Sequence, residues 1–325
     1  MAKVTLVEAI NLALDWELGH DGDVVLLGED IGRNGGVFRA TAGLQDKYGR
    51  LRVQDSPLAE GLIAGMAVGM AAQGLRTVAE IQFMGFLYPA LDQICNHMAR
   101  LRNRTRGRLT LPIVVRMPHG GGIHAPEHHS ESLETLLAHH AGLKVVCPST
   151  PARAYGLLLA AIRDPDPVMF LEPTRLYRMA RQEVLNDGVA LALDRCHPLR
   201  DGEDVTVVTW GAMTHEVIQA ADLLAREKIS CDVLDLSSLA PIDHDSILDS
   251  VAATGRLVIV HEAMRHCGVG AEIAATVAER GLHDLRAPIR RITGYDTVMP
   301  FFRLEHDYLP SVARIADGIR ETVAA

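Results

Sequence analysis

The chain has 325 residues, too many for one ordinary hydrophobic core and enough for two of about 150 residues each. Apolar residues make up 48% and charged residues 22%, the proportions of a folded globular protein, which excludes a mostly disordered chain. The 41 acidic and 32 basic side chains leave a net charge of −9, which argues against a protein built to coat nucleic acid or an anionic membrane. In chain order, residues 3–18 predict an amphipathic helix, and Val24-Val-Leu-Leu-Gly-Glu-Asp30 a buried strand closing in a polar turn. Apolar runs at Val78–Phe83, Ile113–Met117, Lys144–Cys147 and Val168–Leu171 predict further buried strands, with helical patterns between them at 57–73, 88–104, 131–139 and 151–163. The stretch Arg175–Asp204 is charged and irregular. From Val205 a second βα rhythm runs, with strands near 205–210, 231–236, 257–261 and 288–293. Helices near 213–227, 243–253, 269–280 and 310–323 complete it. The expected fold is α/β, with two doubly wound, mainly parallel-sheet domains at 1–180 and 205–325 joined by a linker at 181–204.

Cysteines at 95, 147, 196, 231 and 267 are odd in number and form no C-x-x-C pair, so reduced thiols are expected. No charged, apolar and cleavage regions mark the N-terminus as a secretion signal, and the cytoplasm is the expected compartment.

The segment Asp55-Ser-Pro-Leu-Ala-Glu60 leads into a run that is apolar on every side. Ser56 before Pro57 predicts an N-cap and first helical residue, and the run predicts a helix buried all round. Gly61, Gly65 and Gly69 form a bare ridge against which another helix can pack closely, in this chain or in a partner. Only twelve residues separate Glu60 from Gln73, fewer than the roughly 18–20 a membrane span needs. Glu60 is then a carboxylate in the first turn of a buried helix. It is either a group answering the helix N-terminus or an acid with a raised pKa poised for proton transfer.

Three consecutive glycines, Gly120–Gly122, follow a strand and precede His124, His128 and His129. They make a polar loop at a strand's C-terminal end, where ligands bind in open α/β sheets. Pro126 opposes the helix that would let His124 and His128 share a zinc ion, and no Lys-Ser/Thr follows the glycines to make a phosphate loop. The arginines at 100, 102, 104, 106 and 108 lack interleaved aromatics and are read as surface or interface ion pairs. Cys267-Gly-Val-Gly270 has Ile273 where a dinucleotide fingerprint needs its third glycine, and is read as a helix start.

Leu27-Gly-Glu-Asp30, Gly35-Gly-Val-Phe38, Asp55-Ser-Pro-Leu-Ala-Glu60, Glu80-Ile-Gln-Phe83, Leu143-Lys-Val-Val146, Ala161-Ile-Arg-Asp164, Leu171-Glu172 and Gly294-Tyr-Asp-Thr297 occur in this order. Together they resemble the β subunit of the thiamine-diphosphate-dependent E1 component of 2-oxoacid dehydrogenase complexes, over nearly the whole chain. The triple-Gly loop followed by Pro-Glu-His-His-Ser is similar to bacterial pyruvate-type β chains, while the Gly-Tyr-Asp-Thr stretch also occurs in branched-chain homologues.

The resemblance implies a pyrimidine-binding thiamine-diphosphate domain followed by a transketolase C-terminal-like domain. It implies oxidative decarboxylation of a 2-oxoacid with reductive acylation of lipoyl-E2, with pyruvate as the first expectation and branched-chain or acetoin substrates as alternatives. Glu60 matches the acid that hydrogen-bonds the cofactor's pyrimidine nitrogen. His129 matches the active-site histidine that orients the 2-oxoacid and assists acyl transfer, with His124 and His128 lining the channel. Leu58, Gln82 and Phe86 match positions around the aminopyrimidine, with Phe86 stacked on the ring. Ile113, Ala161, Asp164 and Asp166 match positions whose backbone oxygens hold a structural monovalent cation, K+. The chain has no Gly-Asp-Gly motif to hold the diphosphate through Mg2+, so the resemblance implies a separate E1 α subunit, an α2β2 heterotetramer and attachment to an E2 lipoyl acyltransferase. A non-catalytic assembly module, whose acid and histidines only shape an interface, is the rival reading from another class. A nicotinamide-dependent oxidoreductase is a third.

Overall fold

Strands expected from the apolar runs form one parallel sheet in the structure, a computed structural model that describes residues 2–325. The chain divides into two units. The first comprises residues up to His119 together with Leu136–Leu193, and the second Gly120–Thr135 together with Asp194–Ala325.

In the first unit six strands lie side by side in the order Lys144–Val146, Val168–Pro173, Ile113–His119, Arg76–Glu80, Val24–Gly28 and Val53–Asp55, every neighbouring pair parallel. Val24–Gly28, Ile113–His119 and Val168–Pro173 are buried at every residue, as strands covered on both faces must be. The helix Leu6–His20 begins at a capping box in which Thr5 and Glu8 exchange side-chain-to-backbone hydrogen bonds. It packs against the helix Pro151–Arg163, whose N-cap is Thr150 and whose first residue is proline. The helix expected at 88–104 is instead a 3₁₀ turn at Tyr88–Ala90, a π-helix at Asp92–Met98 and a short α-helix at Leu101–Arg104. Pro89, which has no N–H to donate to a preceding carbonyl, stands at the start of this irregular run.

The second unit has a five-stranded sheet in the order Arg290–Gly294, Leu257–Met264, Val205–Thr209, Cys231–Asp235 and His197–Arg200, parallel except for the last, antiparallel edge strand. Strand alternation shows how it is wound. Val205 and Val207 join a core with Val217 and Leu224 of the helix Met213–Ala225 and with Ile315 and Ile319 of the helix Val312–Ala324. Thr206, pointing the other way, bonds through Oγ1 to Ser250 and Thr254 of the helix His244–Thr254, at 2.6 and 2.8 Å. The helix Val269–Arg280 starts at Gly268, where the broken fingerprint was read as a helix start.

The stretch expected as a linker, 181–204, contains two strands. Gln182–Val184 pairs antiparallel with Ala2–Val4, and His197–Arg200 is the edge strand just described.

Candidate active site

Register in the first sheet sets Gly28 level with both Asp55 and Glu80, so the loops that follow these three residues leave the sheet at one edge, the C-terminal one. Leu58 and Glu60 follow Asp55; Gln82 and Phe86 follow Glu80. The four residues expected around a pyrimidine therefore lie on two loops that flank the strand Val24–Gly28, at the end of the sheet where ligands bind in open α/β folds.

Ser56 is not the helix cap. Its N–H donates to the Gly28 carbonyl at 2.9 Å, continuing the strand pairing, while the Asp55 carboxylate accepts the Gly32 N–H at 2.6 Å. The chain stays out of the helix until Ala59, which offers no side-chain cap, and the helix runs Glu60–Ala72. Glu60 thus occupies the first helical position, among N–H groups with no intrahelical partner. Burial raises the pKa of neighbouring Glu29, and the charges of Asp30 and Glu60 add to it.

Nor is this helix buried all round. It buries Ile63, Ala64, Ala67 and Ala71, but Leu62 is 45% exposed and Leu58, just ahead of it, 72%. The glycine ridge is occupied at one end only. A Cβ at Gly61 would press on the Pro89 carbonyl oxygen and one at Gly65 would touch Gln93, whereas at Gly69 the space is open. Phe86 is half-buried and meets Phe83 edge-on, with ring centroids 5.7 Å apart, and Gln82 is half-buried. A carboxyl, a carboxamide, an aliphatic side chain and an aromatic ring are the set that a flat heteroaromatic ring with polar edges requires.

Beneath this edge lies a buried charge network. Arg116 donates through Nη1 to Glu80 at 2.7 Å, and through Nε and Nη2 to Glu172 at 2.7 and 2.9 Å. The Tyr177 hydroxyl donates to Glu172 at 2.5 Å. Burial raises the pKa of Glu80 despite Arg116, with Glu172 adding to the rise; burial also holds the Tyr177 hydroxyl well above its ordinary range. Charged residues inside continuous apolar strand runs were the available signal for this network, because such charges need partners.

The histidine loop belongs to the second unit. Gly120 and Gly122 have φ of +83° and +88°, and a Cβ at Gly120 would overlap the Glu262 carboxylate. The loop closes on itself where the Gly120 N–H donates to the Glu131 carbonyl at 3.0 Å. His129 ends a 3₁₀ turn, Glu127–His129, with its N–H bonded to the Pro126 carbonyl at 2.9 Å and its ring 4.3 Å from that of His128. Burial, then the charge of His128, lowers the His129 pKa against the opposing pull of Glu127, which favours the neutral, proton-accepting ring. His124 and His128 are exposed. Glu60 and His129 thus stand in different units.

Of the residues expected at a cation, Asp164 and Asp166 have their carboxylates committed to Lys144 and Arg102. Ala161 lies in the last turn of its helix, and the residue four positions on is Pro165, which has no N–H for its carbonyl. Among the described residues no group of three or more His, Cys, Asp or Glu side chains is arranged to hold a metal ion. A cavity of about 630 Å³ in the first unit is lined in part by Arg102, Arg106, Lys144 and Asp166 and by none of Leu58, Glu60, Gln82 and Phe86. No described helix is long and apolar enough to cross a membrane.

Sequence reasoning singled out neither Glu262 nor Glu305. Both contact the histidine loop from more than 120 positions away, and nothing local to either residue marks it.

Residues 2–180 match the transketolase pyrimidine-binding domain and residues 194–315 the transketolase C-terminal domain. The chain is 49% identical over 325 residues to the pyruvate dehydrogenase E1 component subunit beta of Acholeplasma laidlawii, covering 100% of this chain and 99% of the relative. It is 46% identical over 323 residues to the protein of that name from Bacillus subtilis (strain 168), covering 99% of both. A split-gene transketolase, solved as an inactive β4 tetramer, shares the fold with a TM-score of 0.81 at 23% identity, over 99% of each chain.

Proposed function

The chain belongs to the family of pyruvate dehydrogenase E1 component β subunits, and from that membership we propose that it supplies the pyrimidine half of a thiamine-diphosphate site and the acyl-transfer histidine. The reaction is the E1 step. A 2-oxoacid, pyruvate first, loses CO2; its keto carbon is oxidised to the acyl level while the lipoyl disulfide of E2 is reduced, one sulfur taking the acyl group and the other a proton. Thiamine diphosphate, when bound, supplies the nucleophilic carbon and the electron sink for decarboxylation.

This chain's residues hold, orient and move protons. Glu60 hydrogen-bonds the pyrimidine nitrogen from the first position of its helix. Gln82 fixes the polar edge of the ring, and Phe86 and Leu58 bound its faces and exclude water. His129, neutral at working pH, accepts and returns a proton near the reacting acyl group. The placement of Leu58, Glu60, Gln82 and Phe86 along one sheet edge is the observation that carries this reading.

An E1 α subunit holds the diphosphate and Mg2+ and covers the exposed Leu58–Leu62 face, giving an α2β2 assembly attached to E2 in the cytoplasm. K+ sits among the backbone oxygens of Ile113, Ala161, Asp164 and Asp166. The carbonyl that Pro165 leaves without a donor, at the negative end of a helix, supports this.

Reconstitution tests the whole. The chain alone shows no turnover, and adding the α subunit, thiamine diphosphate, Mg2+ and pyruvate restores decarboxylation. Glu60→Ala then lowers turnover by about 10²–10⁴-fold while the tetramer still elutes at full size. Wild-type turnover in that variant overturns the role of Glu60, and a substrate panel on the same tetramer distinguishes pyruvate from branched-chain and acetoin substrates.

A further inference from the structure

The loop that carries His129 is gripped by a side chain some 180 positions away. Glu305 is 1% exposed and opens the short helix Glu305–Tyr308. Its Oε1 accepts the Gly122 N–H at 2.7 Å and its Oε2 the His124 N–H at 3.1 Å, so one carboxylate holds two amides at the crown of the loop. The His124 ring adds to the grip, with Nε2 3.6 Å from Glu305 Oε2 and 3.4 Å from Nε2 of His306. At the far end of the loop Ser132 Oγ donates to Glu262 Oε1 at 3.2 Å. The loop is therefore closed end to end by Gly120 and Glu131 and is tied at crown and base by two carboxylates of the second unit.

Three features make Glu305 more than incidental packing. Hydrogen bonds to a buried carboxylate are roughly twice as strong as neutral ones, and this carboxylate makes two to backbone atoms, which no change of loop side chain would remove. Gly122 sits at φ +88°, a conformation that presents its N–H to Oε1 and that a residue with a Cβ resists. His124 is itself at φ +59°, so a non-glycine residue is held in the left-handed region where the clamp meets it.

We infer that Glu305 is a positioning residue for the E1 reaction: it holds Gly122 and His124 so that the turn Glu127–His129 presents His129 in one orientation. The inference rests on the role of His129 proposed above. It gives the C-terminal domain a part in catalysis that its lack of pyrimidine-site residues conceals.

The test uses hydrogen exchange on the full chain and turnover of the reconstituted tetramer. In Glu305→Ala the amides of 120–131 exchange about tenfold or more faster, while those of the strands Val205–Thr209 and Leu257–Met264 exchange as in the wild type. In the tetramer kcat falls about tenfold or more, and the Kd for thiamine diphosphate stays within about twofold. Glu305→Gln, which keeps one acceptor oxygen and the side-chain shape, gives intermediate exchange and intermediate kcat. Wild-type exchange of 120–131 in Glu305→Ala overturns the clamp whatever the turnover. Accelerated exchange with unchanged kcat overturns the positioning role. His129→Ala is measured in parallel: full turnover there overturns the histidine's role and leaves the clamp to be judged on exchange alone.

Discussion

Arg116 shows how single residues support this site. It hydrogen-bonds both Glu80 and Glu172 in their buried network, so its removal takes away the charge that offsets two buried carboxylates. Arg116→Met is expected to cost about 3–5 kcal/mol of stability, read as a lower denaturant midpoint, whereas Glu80→Gln, which keeps an acceptor for Nη1, costs far less. Equal losses in the two variants would show that the network is held by packing and not by charge. The network stands one step from the proposed pyrimidine site, since Glu80 is the last strand residue before the loop that carries Gln82 and Phe86.

At the scale of elements, the Glu60–Ala72 helix reconciles two opposite requirements. Its composition is that of a core helix, yet one side is uncovered in the isolated chain. The glycine ridge makes this testable residue by residue. Gly69→Ala meets open space and gains helix propensity, so it is expected to raise the stability of the isolated chain by about 0.5–1 kcal/mol. Gly61→Ala meets the Pro89 carbonyl and is expected to lower it. If the open end of the ridge is the seam with the α subunit, Gly69→Ala also weakens the tetramer, measured as a raised dissociation constant in sedimentation. Stabilisation of the chain with unchanged assembly would place the seam elsewhere. The histidine loop makes the complementary case: its glycines are required by its own backbone and by Glu262, so Gly120→Ala is expected to raise exchange throughout 120–131.

For the whole molecule, two buried groups of the second unit set opposing pH dependences. Burial pushes the Glu134 carboxyl up to about 7, against its own backbone N–H and the Trp210 indole. The native state therefore keeps a proton that the unfolded state releases near pH 4.5, and stability falls as pH rises from about 4.5 through about 7. His261, buried and stacked on Trp210, is pushed down to about 3 by burial and by Arg291. The unfolded state takes up a proton there first, so stability is lost as pH falls from about 6.5 toward 3. The two slopes cancel between about pH 4.5 and 6.5. Glu134→Gln removes one of them, and its stability relative to the wild type is expected to rise by on the order of 3 kcal/mol between pH 4 and pH 8. Denaturant titrations at the two pH values check this, and a pH-independent difference would show that Glu134 titrates alike in the folded and unfolded states.

Much of this protein was legible in its sequence. Apolar runs at 24–28, 113–117 and 168–171 located buried strands because covered parallel strands tolerate little else. The helical pattern at 151–163 located the helix Pro151–Arg163 because the periodicity of an amphipathic helix is written in neighbouring turns. These are short-range properties, carried by residues within a turn or two of one another. The same reasoning misplaced the start at Ser56, because a strand hydrogen bond to Gly28 takes the N–H of that residue, and the partner is 28 positions away. Tertiary structure alone decided that Glu60 opens a half-covered helix, that two carboxylates share Arg116, and that Glu305 holds the histidine loop. Each depends on which distant segments chain closure and sheet register bring together, and no local pattern encodes that pairing.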